Sequence, residues 1–173
     1  MNVGIFYGSS YGNTEQAARA VAQQLEHKAG ATVEVIDVSR KELARMQDFD
    51  LILIGCSTWH IGDLQDDWDS ALTDLRQLDL TGKTVALFGA GDQYTYADTF
   101  QDALGILAEE FEKIGATLVG FTSVEGYEHV GSRGQRGECF VGLALDYDNQ
   151  EDLNDERIDR WTTQILSECA VPA

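Results

Sequence analysis

The sequence predicts an α/β protein built on a doubly wound, five-stranded parallel sheet with helices on both faces. Short apolar runs alternate along the chain with longer segments in which apolar residues recur at helical spacing. The run at residues 51–54 is apolar at every position, which is typical of a parallel strand covered on both faces. Alternation of this kind favours crossover units that place helices on the two faces of one sheet.

Taken in order, the strands are expected at residues 3–7, 33–38, 51–55, 85–89 and 118–121, with residues 140–145 continuing the fifth strand. The helices are expected at residues 15–25, 68–78, 100–114 and 155–169. In the first helix, Ala18, Val21, Ala22 and Leu25 form one apolar face. Residues 125–138 contain four glycines and no helical period, so we expect an insertion that interrupts the fifth strand outside the core.

Charge is the most unusual property of the composition. The 173 residues carry a formal net charge of −18, and residues 61–112 contain 12 acidic but only 2 basic residues. This charge disfavours binding to nucleic acid or to an anionic membrane. Solubility, life in high salt and docking onto basic protein partners each explain the acidity, and the composition does not choose among them.

Cysteine usage and hydropathy indicate a cytoplasmic protein. Cys56, Cys139 and Cys169 are widely spaced and form no Cys-x-x-Cys pair, which is typical of reduced thiols. The sequence shows neither a signal-peptide pattern nor an apolar run of membrane-spanning length. No His, Cys or acidic residues stand at metal-ligand spacing, so no metal site is expected.

The loop at residues 8–14, Gly-Ser-Ser-Tyr-Gly-Asn-Thr, joins the first strand to the first helix. Its backbone amides lie at a helix N-terminus, where they lack intrahelical partners and where the helix dipole is positive. Hydroxyl groups add further donors, and a glycine lets the backbone curl inward, so the loop is suited to hold a phosphate. The absence of Lys and Arg favours a single phosphomonoester over a triphosphate. An ordinary βα turn with a Ser/Thr cap explains the same residues without a ligand.

Two other loops that follow strands carry large aromatic residues, Trp59 after the third strand and Tyr96 after the fourth. The carboxyl ends of parallel strands meet at one edge of a sheet, so we expect these loops to converge with the loop at residues 8–14. Two aromatic side chains and a phosphate site in one place favour a bound mononucleotide whose flat ring lies between the aromatics. Incidental surface aromatics are the simpler alternative.

These loops resemble those of flavodoxins of the long-chain type, and the resemblance extends over essentially the whole chain. It rests on Gly12-Asn13-Thr14, on Thr58-Trp59, on Gly91-Asp92-Gln93 followed by Tyr96-Ala97-Asp98, and on the insertion before Gly142-Leu143-Ala144-Leu145-Asp146. It implies one flavodoxin-like domain over residues 1–173 with strand order 2-1-3-4-5. Flavodoxin with FMN is itself one of the cases behind the rule that doubly wound sheets bind ligands beyond the carboxyl ends of their strands.

The resemblance also implies a noncovalently bound FMN, with Trp59 and Tyr96 against opposite faces of its isoalloxazine ring. The phosphate is expected on Ser9, Ser10, Tyr11, Gly12, Asn13 and Thr14. The ring edge is expected to meet the backbone of Thr58, Trp59, His60, Ile61 and Gly62 and that of Gly91 and Asp92. Asp98, which belongs to the Tyr96 motif, is also expected among the cofactor-binding residues, and Asp148 is expected to reach the ribityl chain.

Two residues depart from the family pattern. Tyr11 replaces a small hydroxyl residue in the phosphate loop, which removes one hydroxyl contact or moves it to Ser10. His60 stands where a small or polar residue is usual, at the peptide that faces the flavin and changes its orientation on reduction. Positive φ at this residue favours the turned peptide, so a β-carbon at His60 is expected to oppose it.

We therefore expect a low-potential one-electron carrier rather than an enzyme, with FMN supplying the chemistry. The implied partners are a basic NADPH-dependent flavodoxin/ferredoxin reductase and low-potential acceptor enzymes, and the carrier is expected to be a monomer. The alternative is a flavodoxin-like NAD(P)H:quinone oxidoreductase, which needs a substrate pocket over the flavin. A phospho-acceptor receiver domain is excluded, because Gly8-Ser9-Ser10 and Cys56-Ser57 stand where that class needs aspartates.

Overall fold

The computed structural model describes residues 1–170 of the chain. Its strands are β1 (Asn2–Gly8), β2 (Thr32–Asp37), β3 (Leu51–Cys56), β4 (Thr58–Trp59), β5 (Asp63–Leu64), β6 (Thr84–Ala90), β7 (Thr117–Val119), β8 (Thr122–Ser123), β9 (Gln135–Arg136), β10 (Cys139–Phe140) and β11 (Leu143–Leu145). Its α-helices are α1 (Asn13–Ala29), α2 (Asp66–Leu75), α3 (Asp102–Lys113) and α4 (Glu151–Ala170). Two 3₁₀ segments, Val38–Arg40 and Leu43–Asp48, connect β2 to β3.

The central sheet is parallel, with the order β11-β6-β3-β1-β2. Strand β7 also pairs with β6 in parallel, where Thr117–Val119 lie opposite the beginning of β6. Strand β11 follows along the same edge, where Leu143 pairs with Phe88 and Leu145 with Ala90. The fifth position of the sheet is thus shared by two short strands, and the predicted order 2-1-3-4-5 is confirmed.

The boundary of the insertion differs from the prediction. The fifth strand leaves the sheet after Val119 and returns only at Leu143, so the predicted pieces at residues 118–121 and 140–145 are both too long. Phe140 pairs instead with Thr122 and Gln135 in a separate three-stranded antiparallel sheet of order β8-β10-β9. Its ring packs against Phe100 in a small apolar cluster outside the two main cores. Apolar character alone did not distinguish residues of this cluster from those of the central sheet.

One face of the sheet is covered by α1 and α4. Val21 and Leu25 of α1 and Trp161 and Ile165 of α4 are buried in the same core, which confirms the predicted apolar face of the first helix. The indole Nε1 of Trp161 donates a hydrogen bond to the carbonyl oxygen of Gly120 at 2.8 Å. The first helix is longer than predicted and ends before Gly30, whose φ of 56° is compatible with a helix C-cap.

The other face is covered by α2 and α3. Trp68 and Leu75 of α2 and Leu107 and Phe111 of α3 are fully buried here. The indole Nε1 of Trp68 donates to the carbonyl oxygen of Gly55 at 2.8 Å, which fixes the start of α2 near the end of β3. Because all central strands run in one direction, the loops after β1, β3, β6 and β11 emerge at one edge of the sheet. Among residues 1–170, no helix is both long and apolar enough to span a bilayer.

Candidate functional site

A cleft of about 410 Å³ lies at the carboxyl ends of the central strands. Four loops form it, namely those that follow β1, β3, β6 and β11. It is lined by Ser9, Tyr11, Asn13, Thr14, Ser57, Thr58, Trp59, His60, Ala90, Gly91, Asp92, Tyr96, Tyr147 and Asp148. The structure thus brings together most of the predicted site residues, whereas Ser10, Gly12, Ile61, Gly62 and Asp98 lie outside the lining.

The loop after β1 ends at Gly12, the N-cap of α1, which has a φ of 95°. The first bond of the helix runs from the amide of Gln16 to the carbonyl oxygen of Gly12 at 2.9 Å. The amides of Asn13, Thr14 and Glu15 therefore have no partner within the helix. A Cβ at Gly12 would meet no atom within 4 Å, so the glycine is required here by its backbone conformation rather than by space.

The side chains of this loop divide between internal contacts and the cleft. The Ser9 hydroxyl accepts a hydrogen bond from the Gly12 amide at 3.0 Å, which closes the loop. The Ser10 hydroxyl turns away and accepts from Nε2 of Gln65 at 3.3 Å. The buried hydroxyl of Thr14 has no hydrogen-bond partner among the described residues. A buried polar group without a partner is costly, and a phosphate oxygen held beside the free amides would supply one.

The loop after β3 is a short hairpin in which Thr58 pairs with Leu64 and Trp59 with Asp63. The Thr58 hydroxyl accepts a hydrogen bond from the amide of Ala103 at 3.1 Å, which ties the hairpin to α3. The indole Nε1 of Trp59 donates to the hydroxyl of Ser57 at 3.1 Å. These contacts orient the indole along the cleft wall.

The turn of this hairpin consists of His60, Ile61 and Gly62. His60 has a φ of 46° and Gly62 a φ of 91°, so the positive φ expected for a turned peptide is already present at His60. Ile61 is 82% exposed. A Cβ at Gly62 would lie 2.6 Å from Oδ2 of Asp102, so Gly62 is needed for close approach to α3 as well as for its backbone conformation.

The loop after β6 carries Asp92 and Tyr96 into the cleft. Oδ1 of Asp92 accepts hydrogen bonds from the amides of Tyr94 at 3.1 Å and Thr95 at 2.9 Å and from Nδ2 of Asn149 at 2.9 Å. Burial raises the pKa of Asp92, but these hydrogen bonds outweigh burial and the net pKa is lowered. Asp98 is exposed beyond the loop and does not line the cleft.

Asp148 follows β11 and brings a second carboxylate to the cleft. Burial raises its pKa, and the negative charges of Asp92 and Asp146 raise it further. Its neighbour Tyr147 also lines the cleft, and burial raises the pKa of that phenol to about 12. Sequence reasoning missed Tyr147, although the rule of strand carboxyl ends pointed to it as directly as to Asp148.

Asp146 supports these loops from beneath and was also missed as a site residue. It is fully buried, and its Oδ2 accepts hydrogen bonds from the amide and Nε2 of Gln93 at 3.2 and 2.8 Å. Its Oδ1 accepts from the amides of Asp148 at 3.1 Å and Asn149 at 3.0 Å. One buried carboxylate thus joins the loop after β6 to the loop after β11.

The insertion also contacts these loops. Oε1 of Gln93 accepts a hydrogen bond from the amide of Glu128 at 2.8 Å, and the amide of Val130 donates to the carbonyl oxygen of Ala97 at 2.8 Å. Oδ1 of Asp102 accepts from the amide of Arg133 at 2.7 Å. The insertion therefore borders the cleft region on the side of the loop after β6.

Comparisons with known proteins agree with this architecture. The sequence model of the flavodoxin family matches residues 5–161. The chain is 45% identical to a flavodoxin of Picosynechococcus sp. over 163 residues, which cover 94% of this chain and 95% of that protein. It is 40% identical to a flavodoxin of Klebsiella pneumoniae over 167 residues, covering 96% and 93% of the two chains. The chain belongs to the flavodoxin family.

Solved flavodoxins share the fold. The Fusobacterium nucleatum flavodoxin bound to flavin mononucleotide superposes with a TM-score of 0.90 at 29% identity, covering 96% of this chain and 98% of that one. Flavodoxins are electron-transfer proteins that use FMN and are not enzymes. The family, the fold class and this class of function, which the sequence predicted, are therefore confirmed, whereas the long-chain type stays a prediction.

Proposed function

We propose that this flavodoxin is a low-potential one-electron carrier that binds one FMN noncovalently in the cleft. One observation carries the proposal. A single cleft combines two features: backbone amides and the Thr14 hydroxyl at the start of α1, none of which has a partner in the described part of the chain, and Trp59 and Tyr96 on its walls. Anion donors beside two aromatic side chains match a flat ring that carries one phosphate.

The phosphate is assigned to the loop of Ser9, Ser10, Tyr11, Gly12, Asn13 and Thr14. The amides after Gly12 and the buried Thr14 hydroxyl supply donors beside the cleft, and Ser9 keeps the loop closed. Ser10 does not line the cleft, and its hydroxyl oxygen accepts from Gln65, so its O–H reaches the phosphate only if the side chain turns toward the cleft, and we expect it to contribute less than Thr14. Bound in this way, the phosphate is held by neutral donors and the positive end of α1.

The flavin ring is assigned to the space between the hairpin of Thr58, Trp59, His60, Ile61 and Gly62 and the loop of Gly91, Asp92, Tyr96 and Asp98. When bound, FMN supplies the one-electron chemistry. The protein orients the ring through its aromatic walls and excludes water from its faces. Asp92 and Asp148 place negative charge in the same cleft, which opposes the addition of further negative charge to the ring and lowers its potential.

The partners are inferred from charge. Asp63 in the cleft hairpin, and Asp66 and Asp69 directly after it, are exposed and belong to the segment of residues 61–112 that is rich in acidic residues. Basic redox proteins, namely an NADPH-dependent reductase and low-potential acceptor enzymes, are complementary to this surface. We further propose that residues 1–173 act as one monomeric, cytoplasmic domain of the long-chain type, without nucleic-acid or membrane partners.

The experiment is to purify the protein, record its visible spectrum and quantify the flavin released by acid. The proposal expects flavin bands, about one FMN per chain and no covalently retained flavin. Stepwise reduction should occur at low potential, and a basic NADPH-dependent reductase should reduce the protein. A colourless protein whose apo form fails to bind added FMN contradicts the proposal. Sustained oxidation of NADPH by quinone with the protein alone supports the oxidoreductase instead.

A further inference from the structure

Tyr11 is the one aromatic residue in the phosphate loop of residues 8–14. Its side chain is 85% exposed, yet its ring centroid lies 5.2 Å from that of Trp59, with the two planes inclined at 47°. Both residues line the cleft. The contact joins the loop after β1 to the hairpin after β3, which form two walls of the site.

The indole of Trp59 has few other supports. Its Nε1 donates to Ser57 at 3.1 Å, and the ring of His60 lies farther away, at 6.4 Å between centroids. Trp59 is only partly buried. Tyr11 therefore supplies the nearer of the two aromatic contacts of the side chain that is assigned to one face of the flavin.

We propose that Tyr11 is a positioning residue that braces Trp59 at the mouth of the cleft and thereby slows the release of the bound flavin. This inference rests on the proposed FMN site. An aromatic pair in this arrangement contributes enough to change a dissociation rate by about 2- to 10-fold. In this role the ring of Tyr11 is the active part, and its hydroxyl is dispensable.

The competing explanation is that Tyr11 replaces the usual small hydroxyl residue as a phosphate donor. The two explanations differ in which variant matters. If the ring braces Trp59, Tyr11→Phe retains the function and Tyr11→Ser loses it. If the hydroxyl binds phosphate, Tyr11→Phe weakens FMN binding, whereas Tyr11→Ser retains it because serine also carries a hydroxyl, and neither changes the binding of riboflavin, which lacks the phosphate.

The first test uses the apoprotein and needs no flavin. Trp68 and Trp161 are fully buried or nearly so, so acrylamide quenching of the tryptophan fluorescence reports mainly on Trp59. We expect quenching to increase in Tyr11→Ser and to remain at the wild-type level in Tyr11→Phe. Tyr94→Ser serves as a matched control, because Tyr94 is also an exposed tyrosine, at 54%, but does not line the cleft.

The second test measures dissociation of FMN and of riboflavin from the wild type and the same variants. We expect Tyr11→Ser to release both flavins about 2- to 10-fold faster, with Tyr11→Phe and Tyr94→Ser close to the wild type. Unchanged release from Tyr11→Ser overturns the inference, as does a loss in Tyr11→Phe that is confined to FMN. Failure of the wild-type protein to bind either flavin contradicts the proposed function itself, so the two failures are distinguishable. Because Tyr11 is exposed, its replacement leaves no cavity, and circular dichroism of the apoprotein verifies the fold.

Discussion

The two sides of the cleft are constructed in opposite ways. At the phosphate loop, three amides at the start of α1 lie before the first bond of the helix, and the buried Thr14 hydroxyl lacks a partner within residues 1–170. At the loops after β6 and β11, the buried carboxylate of Asp146 accepts hydrogen bonds from Gln93, Asp148 and Asn149. The first side keeps donors free for a ligand, whereas the second satisfies its donors within the protein.

This difference indicates that the two sides of the cleft have different roles in binding. Buried donors without a partner destabilise the apoprotein, and an anion that accepts hydrogen bonds from them removes this destabilisation. A satisfied network holds its loops in place before any ligand arrives, and so reduces the ordering that binding requires. Substitutions on the two sides should therefore change the free energy of unfolding of the apoprotein in opposite directions.

The largest effect is expected on the satisfied side, for Asp146→Asn. The NH₂ group of the asparagine would face the N–H donors of Gln93 or of Asn149 instead of accepting from them, so several buried hydrogen bonds are lost. We expect urea unfolding of the apoprotein to show a loss of about 2–4 kcal/mol, and FMN affinity to fall as well. Asp48→Asn is the matched control, because Asp48 is exposed and its replacement should stay within about 0.5 kcal/mol. If Asp146→Asn unfolds at the same urea concentration as the wild type, this carboxylate does not support the two loops.

On the open side, Thr14→Val should have the opposite pattern. It removes a buried hydroxyl that has no partner within residues 1–170, so the stability of the apoprotein should stay equal or rise. It also removes a hydrogen bond to a charged phosphate, so FMN affinity should fall by about 10- to 100-fold. Calorimetric titration with riboflavin, which lacks the phosphate, should show no comparable loss. Equal losses for the two flavins would mean that Thr14 supports the ring and not the phosphate.

The double variant Asp63→Lys/Asp66→Lys tests the role of negative charge outside the cleft. Asp67 is left in place because its carboxylate accepts a hydrogen bond from Gln65 at 2.9 Å. The variant should slow reduction by a basic reductase by about 10-fold at low ionic strength, with the difference shrinking as salt rises. Glu26→Lys/Asp48→Lys carries the same change in net charge. Glu26 is exposed near the end of α1 remote from the cleft, so this control should have a much smaller effect. If both variants slow the reaction equally, net charge rather than a docking surface is responsible.

A smaller effect is expected at His60, whose φ of 46° is unfavourable for a residue with a β-carbon. His60→Asn should raise the unfolding free energy of the apoprotein by roughly 0.5–1 kcal/mol, because the short polar side chain of asparagine adopts left-handed conformations at lower cost. His60→Gly should gain less, because glycine adds entropy to the unfolded chain. A loss of stability in His60→Asn would show that the imidazole, whose Nδ1 lies 3.6 Å from Oδ2 of Asp63, contributes more than the backbone strain.

The smallest effects concern the pH dependence contributed by the two cleft carboxylates. The pKa of Asp92 is lowered in the fold, so its contribution to stability is present above its unfolded pKa, near 4, and is lost as pH falls through the folded value. The pKa of Asp148 is raised, first by burial, so its ionisation costs stability as pH rises through about 4. At pH 7, Asp92→Asn should therefore lower the free energy of unfolding relative to the wild type, and Asp148→Asn should raise it. Both differences should be smaller at pH 3. Shifts of the same sign would contradict the assignment.

The open side of the cleft could be predicted from sequence because its signals are local. Gly12, Asn13 and Thr14 are adjacent in the chain, and a strand followed by a helix fixes their environment. The satisfied side depends on partners far apart in sequence: Gln93 meets Asp146 and Glu128 only after folding. No periodicity distinguishes such a buried aspartate from the many solvated acids of this chain.

For the fold, too, local patterns could be predicted from the sequence and contacts between distant residues could not. The alternating runs predicted the central sheet and its helices, because strand and helix periods are properties of consecutive residues. The hairpin at Thr58–Leu64 and the small sheet around Phe140 were not predicted, since strands of two residues carry no period. Phe140 and Leu143 are equally apolar, but only pairing decides which of them joins the central sheet.

The most direct test of the difference between the two sides is amide hydrogen exchange of the protein with and without FMN. The account predicts that the amides of Asn13, Thr14 and Glu15 exchange rapidly in the apoprotein and become protected when FMN binds. The amides of Gln93, Asp148 and Asn149 should already be protected in the apoprotein and change little. Rapid exchange at Gln93, Asp148 and Asn149 in the apoprotein, or no protection of Asn13, Thr14 and Glu15 by bound FMN, would contradict it.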